Sequence, residues 1–192
     1  ASLRWSFGFS SYCFGVKTYS LCLVYRPIFL LEVAVPEVDL QGEAGWESFD
    51  APALVGETLR FVSGDRTGNR FRMSYFRDQE QNLVARVWFG PVTEGPPDHA
   101  HGGSIAAVLD EVLGLAAWAD GHKVVVGNLN VNFRQLLPIQ RVVQVNTKIV
   151  SVQGRKVMVH GEVCSLDGTT YATGECLCII LTEAQIASSG KS

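Results

Sequence analysis

The stretch PPDHAHGGSIAAVLDEVLG, residues 96 to 114, gathers the residue types that could do chemistry. His99 and His101 lie two positions apart, Gly102 and Gly103 follow, and an apolar run then carries two adjacent acids, Asp110 and Glu111. A His-x-His hook can begin a metal site, but a metal needs further ligands. Only His122 and His160 remain among the histidines, and the cysteines fall in distant segments, so no metal is expected. A glycine pair opening a helix offers another chemistry. Without a Cβ the backbone can approach a ligand closely, and the free N–H groups at the positive end of the helix dipole suit an anion or a polarised carbonyl oxygen. The same glycines could simply make a tight turn, and the residues alone do not separate these readings.

Asp110 is the sharper signal. On a helix its neighbours three and four positions away are Ala106, Ala107, Leu113 and Gly114, small in all but one case. An ionised carboxylate in a dry core is costly unless paired, which makes such residues candidates for function. Adjacent helical residues point about 100° apart. One acid of the two should therefore mark the solvent edge, and Glu111 is assigned that role. Seven residues separate Gly103 from Asp110, or roughly 10 Å at about 1.5 Å per residue. Groups that polarise and attack one carbonyl must each come within about 3 Å of it. One helix cannot easily supply both, whereas two antiparallel copies can, so a site using both elements implies at least a dimer.

The elements that must position these residues follow from the patterning. FRMSYFRD (71 to 78) alternates with the period of a half-buried strand and forms a hairpin with LVARVWFGP (83 to 91). Residues 104 to 119 are apolar nearly all round, as for a helix buried on every side. After Lys123 the chain is strand-like: 124 to 135, 142 to 152, 155 to 165 and 169 to 182, with glycine turns between the later ones. In the first of these, Asn128, Asn130, Asn132 and Arg134 share one face and Leu129, Val131 and Phe133 the other. A helix hydrophobic on all sides needs a sheet curved around it, so the fold class is α+β. Trp88, Phe89 and Trp118 are candidates to line a tunnel beside the helix, with core packing as the commoner role.

Bulk properties narrow the classes. The chain has 192 residues, 47% hydrophobic and 18% charged, enough to bury a core, and its net charge of -3 favours neither nucleic acid nor an anionic membrane surface. Five cysteines (Cys13, Cys22, Cys164, Cys176, Cys178) without a C-x-x-C pair suit reduced thiols and an intracellular protein, cytoplasmic or mitochondrial. No integral membrane segment is expected, since SLCLVYRPIFLLEVAV (20 to 35) is broken by Arg26, Pro27 and Glu32. Residues 1 to 31 contain Arg4, Lys17 and Arg26 but no acid, a transit-like composition. An uninformative extension is preferred there over a mitochondrial leader. Residues 36 to 56 read as a linker or capping segment, which gives an extension over 1 to 60, a domain over 61 to 183 and a polar, frayed tail over 184 to 192. Residues 121 to 160 hold no acid but include Lys123, Arg134, Arg141, Lys148, Arg155 and Lys156, which suits an anionic ligand.

Taken in order, EGPPDHAHGGSIAAVLDEVLG, NLNVNFRQLLP and VQGRKVMV resemble the hotdog-fold acyl-CoA thioesterases, in the branch of the mitochondrial thioesterase-superfamily enzymes, over about residues 65 to 183. The resemblance implies an antiparallel sheet wrapped around one central helix, paired as dimers or dimers of dimers, hydrolysing acyl-CoA with no cofactor, coenzyme A being part of the substrate. It makes Asp110 the general base or nucleophile. His101, Gly102 and Gly103 become the element that polarises the thioester carbonyl. Asn132, Arg134, Arg155 and Lys156 become contacts to coenzyme A. The sequence departs from the pattern at Val126, where many relatives carry Ser or Thr to orient the water or the carboxylate. Asn128 and His99 are the residues that could compensate. Two other readings stay open: a non-catalytic hotdog module binding acyl-CoA or lipid, and a hotdog enoyl-CoA hydratase.

Overall fold

Strand-forming apolar residues in six long segments produce a single sheet. The computed structural model describes residues 37–52, 61–65 and 67–189. The transit-like segment, Cys13 and Cys22 lie outside them. The elements are β1 (Glu47–Ser48), β2 (Phe71–Arg77), β3 (Leu83–Phe89), α1 (Gly102–Ala119), β4 (Val124–Phe133), β5 (Val142–Gln153), β6 (Lys156–Ser165), β7 (Thr170–Ile180) and α2 (Glu183–Ser189). The sheet is antiparallel with strand order β1-β2-β3-β5-β6-β7-β4. The α+β expectation of a sheet wrapped on one central helix therefore holds. The strand that follows the helix, β4, lies at one edge of the sheet.

The core is the contact between α1 and the inner face. Ile105, Val108, Leu109, Val112, Leu113 and Leu115 are buried against Ala85, Val87, Phe89, Val143, Val145, Val157 and Val159. By length and hydropathy α1 could cross a membrane, but here these side chains are spent on the sheet. Two glycines let the helix come close. A Cβ on Gly161 of β6 would lie 2.4 Å from Leu113 Cδ2, and one on Gly174 of β7 would lie 3.2 Å from Leu113 Cδ1. Leucine fills the space that those residues leave. Trp88 and Phe89 are core residues, while Trp118 donates its indole N–H to the Val124 carbonyl at 3.0 Å, tying the end of α1 to the start of β4.

All seven residues of β3 are buried, because both of its faces are covered. Helix α1 covers one. The other is covered by chain that the sequence left as linker or cap: Glu43 pairs with Arg86 at 2.8 Å, and Trp46 lies under the Arg86 guanidinium at 5.1 Å. β1 then adds to the sheet beside β2, so strand pairing begins before residue 61. The other end differs from expectation too. Residues 183–189 form a helix rather than a frayed tail, opened by a reciprocal cap in which Thr182 N donates to Gln185 Oε1 at 2.9 Å and Gln185 N to Thr182 Oγ1 at 3.3 Å.

Candidate functional site

The helix start is fixed by a short loop that folds on itself. Thr93 accepts from His101 N at 2.7 Å, Ala100 N donates to Leu137 O at 2.8 Å, and Gly95 N donates to His99 O at 2.9 Å. His101 is the N-cap of α1, and its Nδ1 accepts from the Gly103 N–H at 2.9 Å. That acceptor role puts the ring proton on Nε2. His99 has the opposite polarity. Its Nδ1 lies 2.7 Å from the Pro97 carbonyl, which only accepts, so Nδ1 carries the proton. The two histidines thus do different work, one capping the helix and the other bracing the turn. Among the described residues no three His, Cys, Asp or Glu side chains are grouped so as to hold a metal ion.

The cap changes the donor inventory expected of the two glycines. Gly103 N–H is already taken by His101, and among the described residues no acceptor meets the Gly102 N–H. One donor at the helix start, not two, is left without an acceptor among the described residues. Phe133, at the end of β4, lies over it: a Cβ on Gly102 would stand 3.2 Å from Phe133 Cζ. A side chain at 102 would push against this exposed ring. Phe133 was read only as sharing a strand face with Leu129 and Val131, because nothing in sequence links it to a glycine 31 positions earlier. A pocket of about 290 Å³ opens beside the same loop, between Arg70, Thr93, Glu94, His101 and Gly103. A larger cleft of about 810 Å³ lies elsewhere, between Asp39, Glu43, Trp46 and Phe76, and includes none of the sequence-predicted site residues.

The two acids of α1 are the reverse of expectation. Asp110 is exposed in the single chain, whereas Glu111 is half-buried and satisfied, accepting from Tyr75 Oη at 2.8 Å and from Ser63 N at 3.4 Å. The reason is the side of the helix that meets the sheet, which an all-apolar pattern does not specify. Asp110 stands on a stripe of Gly103, Ala106, Ala107 and Gly114, and Gly103 and Asp110 are both exposed along it. Seven residues at 100° each fall about 20° short of two turns, so they point the same way. Partial burial in that stripe, and then the neighbouring Glu111 charge, hold the Asp110 carboxyl above the usual aspartate value. Behind it on β7 are Cys176 and Cys178, two buried thiols with sulfurs 3.3 Å apart.

β4 bulges between Val126 and Asn128. The extra residue lets Val126 on one side, and Leu129 and Val131 on the other, all pack towards the core. Val126 faces the helix one turn beyond Asp110, where a Cβ on Gly114 would lie 3.5 Å from Val126 Cγ2. A hydroxyl at 126 would therefore sit next to the acid's stripe, and this chain presents a methyl group. Neither suggested substitute fills that place within one chain. Asn128 lies in register with Leu177 and is exposed on the outer face with Asn130 and Asn132, and His99 is held in its turn.

The basic residues divide. Arg134 and Lys156 are exposed. Arg155 is committed: its Nε donates to Ile180 O at 2.9 Å and its Nη2 to Gln185 Oε1 at 3.2 Å, clamping α2 to the sheet. The expected contact of Arg155 with coenzyme A would have to share a guanidinium that already holds α2. Its place after a turn glycine gave no sign of the clamp, because its partners lie 25 and 30 residues on.

Residues 98–172 match the model described as thioesterase superfamily. Among curated proteins the chain is similar to acyl-coenzyme A thioesterase THEM4 of Rattus norvegicus, 31% identical over 126 residues, covering 65% of this chain and 54% of that protein. It is also similar to THEM4 of Bos taurus, 33% identical over 118 residues, covering 59% and 48%. The chain spans about half the length of the curated relatives it matches. Among solved structures it is similar to a thioesterase superfamily protein at 27% identity and a TM-score of 0.54, covering 56% of each chain. A hypothetical thioesterase of Streptococcus pneumoniae TIGR4, solved with coenzyme A, shares the fold at 15% identity and a TM-score of 0.52, covering 69% of this chain and 94% of that one. Residues 98–172 thus match the thioesterase superfamily, and the antiparallel sheet around one central helix is the hotdog fold of these similar structures.

Proposed function

We propose that this protein hydrolyses the thioester of a fatty or aromatic acyl-CoA to the free acid and coenzyme A, with Asp110 as general base or nucleophile. The observation that carries the reading is the outward stripe of α1. A core helix otherwise buried against its sheet leaves at its start a half-buried backbone donor, Gly102 N–H, that meets no acceptor among the described residues, and an exposed carboxyl of raised pKa two turns later. A raised pKa suits a group that must take a proton near neutral pH. In the water route, oxygen bonds to the thioester carbon while Asp110 takes the water proton. The carbonyl oxygen leans on the Gly102 N–H, the C–S bond breaks, and the thiolate regains the proton. In the nucleophilic route the carboxylate bonds to that carbon first and water releases it afterwards.

The Gly102 donor and the carboxylate, eight residues apart, lie roughly 12 Å apart along one helix, so the reading includes a second copy. The ten-residue edge of β4 supports a homodimer, itself open to pairing into a dimer of dimers, because an unpaired edge strand is a template for another chain. Asn132, Arg134 and Lys156 are the exposed groups offered to coenzyme A, with Arg155, also exposed, shared between it and α2. An intracellular setting belongs to the same proposal, Cys164, Cys176 and Cys178 being buried free thiols.

Val126 favours the second reading, a module that binds acyl-CoA without cleaving it. Thiol release from a panel of acyl-CoAs tests both, with Asp110→Asn as the comparison. The expected result is a loss of at least about 100-fold in kcat, the size of a missing general base. Hydrolysis intact in the variant overturns the proposed mechanism. Tight binding with no thiol released by the wild type selects the binding module, and hydration of an enoyl-CoA selects the hydratase.

A further inference from the structure

The second acid of α1 has a place that the reaction above does not use. Glu111 reaches across to β2, where the buried Tyr75 donates to it at 2.8 Å, and to the loop before β2, where Ser63 N lies 3.4 Å away. The Met73 sulfur stands 3.7 Å from the same tyrosine hydroxyl. A half-buried carboxylate held by two donors from outside its helix has one orientation, and its immediate neighbour in the chain is Asp110. An acid needed only to mark the solvent edge of a helix would have no use for a buried tyrosine 36 residues away.

We propose that Glu111, clamped by Tyr75, is a positioning residue whose fixed negative charge sets the basicity of Asp110. This rests on Asp110 being the base of the proposed hydrolysis. The groups around Asp110 leave few alternatives for that role. On its own helix the neighbouring charge is Glu111. From β7 it meets Cys176 and Cys178, where the hydrogen bond between the two sulfurs, with burial, pushes the Cys176 thiol up and the same bond holds Cys178 down. From β4 it meets the Val126 side, and from β6 the helix packs on Gly161, neither of which titrates. The Asp110 shift has the matching sign: burial is the larger cause and the Glu111 charge the second. Like charges on adjacent residues disfavour ionisation of the one that is free to take a proton. Tyr75 is what keeps Glu111 from swinging into water, where its influence would be screened.

Glu111→Gln is the test, because the amide keeps the size and can still accept from Tyr75, so only the charge is lost. The carboxyl of Asp110 is followed by ¹³C NMR through a pH titration in the whole chain, wild type against variant, alongside the pH profile of kcat/KM. The expected result is a midpoint for Asp110 at lower pH in Glu111→Gln, with the acidic limb of kcat/KM moving in the same direction and Glu111→Asp returning it towards the wild-type position. An unchanged midpoint in a folded Glu111→Gln protein overturns the inference even if Asp110→Asn abolishes hydrolysis. A midpoint that moves while Asp110→Asn hydrolyses normally keeps the electrostatic pair but removes its catalytic purpose, so the failure of the reaction and the failure of the tuning are told apart.

Discussion

The loop that starts α1 and the stripe that carries Asp110 belong to one helix, yet they are finished to different degrees. The loop is complete within one chain. His101 caps the helix, Thr93 and Leu137 take the backbone N–H groups of His101 and Ala100, and His99 braces the turn. The Asp110 stripe is open: its acid is exposed, Ala106, Ala107 and Gly114 are half-buried, and among the described residues no strand pairs with the outer edge of β4. The difference teaches which half of the site needs another molecule. A folded donor at the helix start can wait for a substrate. A carboxylate on a bare apolar stripe calls for something to cover it, and a second copy of the same stripe and edge brings the donor that a single helix places too far away.

The largest test of this contrast lies at the edge. Asn128→Lys together with Asn130→Lys puts like charges on β4, and across a two-fold strand pair these oppose their own copies. The double variant is expected to be monomeric by light scattering and to lose at least about tenfold in kcat/KM, the loss that follows when the partner's donor is removed from the carbonyl. A monomer of full activity would break the contrast, because the Asp110 stripe would then be sufficient alone. The self-contained half is tested by stability. His101→Ala leaves the Gly103 N–H without its acceptor and is expected to cost about 1 kcal/mol in urea unfolding, as for other N-caps. His101→Asn, which can still accept, should recover most of that. A loss that asparagine does not recover would mean that the ring serves something besides the cap.

Much of the fold was legible because strands and their turns announce themselves locally. The alternation of 71 to 78, the glycine turns after 152 and 167, and the apolar helix between hairpin and meander suffice for a sheet around α1. What escaped was set by contacts distant in sequence. Period alone could not assign the inner side of a helix that is apolar nearly all round, so Asp110 and Glu111 were exchanged. Tyr75, which decides the matter, lies on a different element. Arg155 was read only as a contact for an anionic ligand because its acceptors are on β7 and α2. The Phe133 ring over Gly102 could not be anticipated from either residue. By contrast, the Thr-x-x-Gln cap of α2 stood in the sequence at 182 to 185, and the polar composition around it drew the reading towards a frayed end. The same holds for Trp46 and Glu43, whose segment offered the capping role that the covered face of β3 requires.

The smallest expected effect concerns the cost of leaving Asp110 where it is. Its carboxyl is held above the ordinary aspartate value by partial burial and by Glu111. A raised folded pKa means that the native state binds the proton more tightly than the unfolded chain does. Stability from this group is therefore fully present below the unfolded value, near 3.9, and is lost as pH rises through the folded one. At neutral pH the ionised acid is a burden on the fold, and Asp110→Asn should raise Tm slightly at pH 7 while losing activity. The gain should fade as the pH is lowered past the ordinary aspartate range, where the wild-type carboxyl is neutral as well. Differential scanning calorimetry at several pH values reads this directly. A variant less stable than the wild type at pH 7 would mean that the carboxylate is supported by a partner, and that the open stripe is closed in solution by more than a second apolar surface.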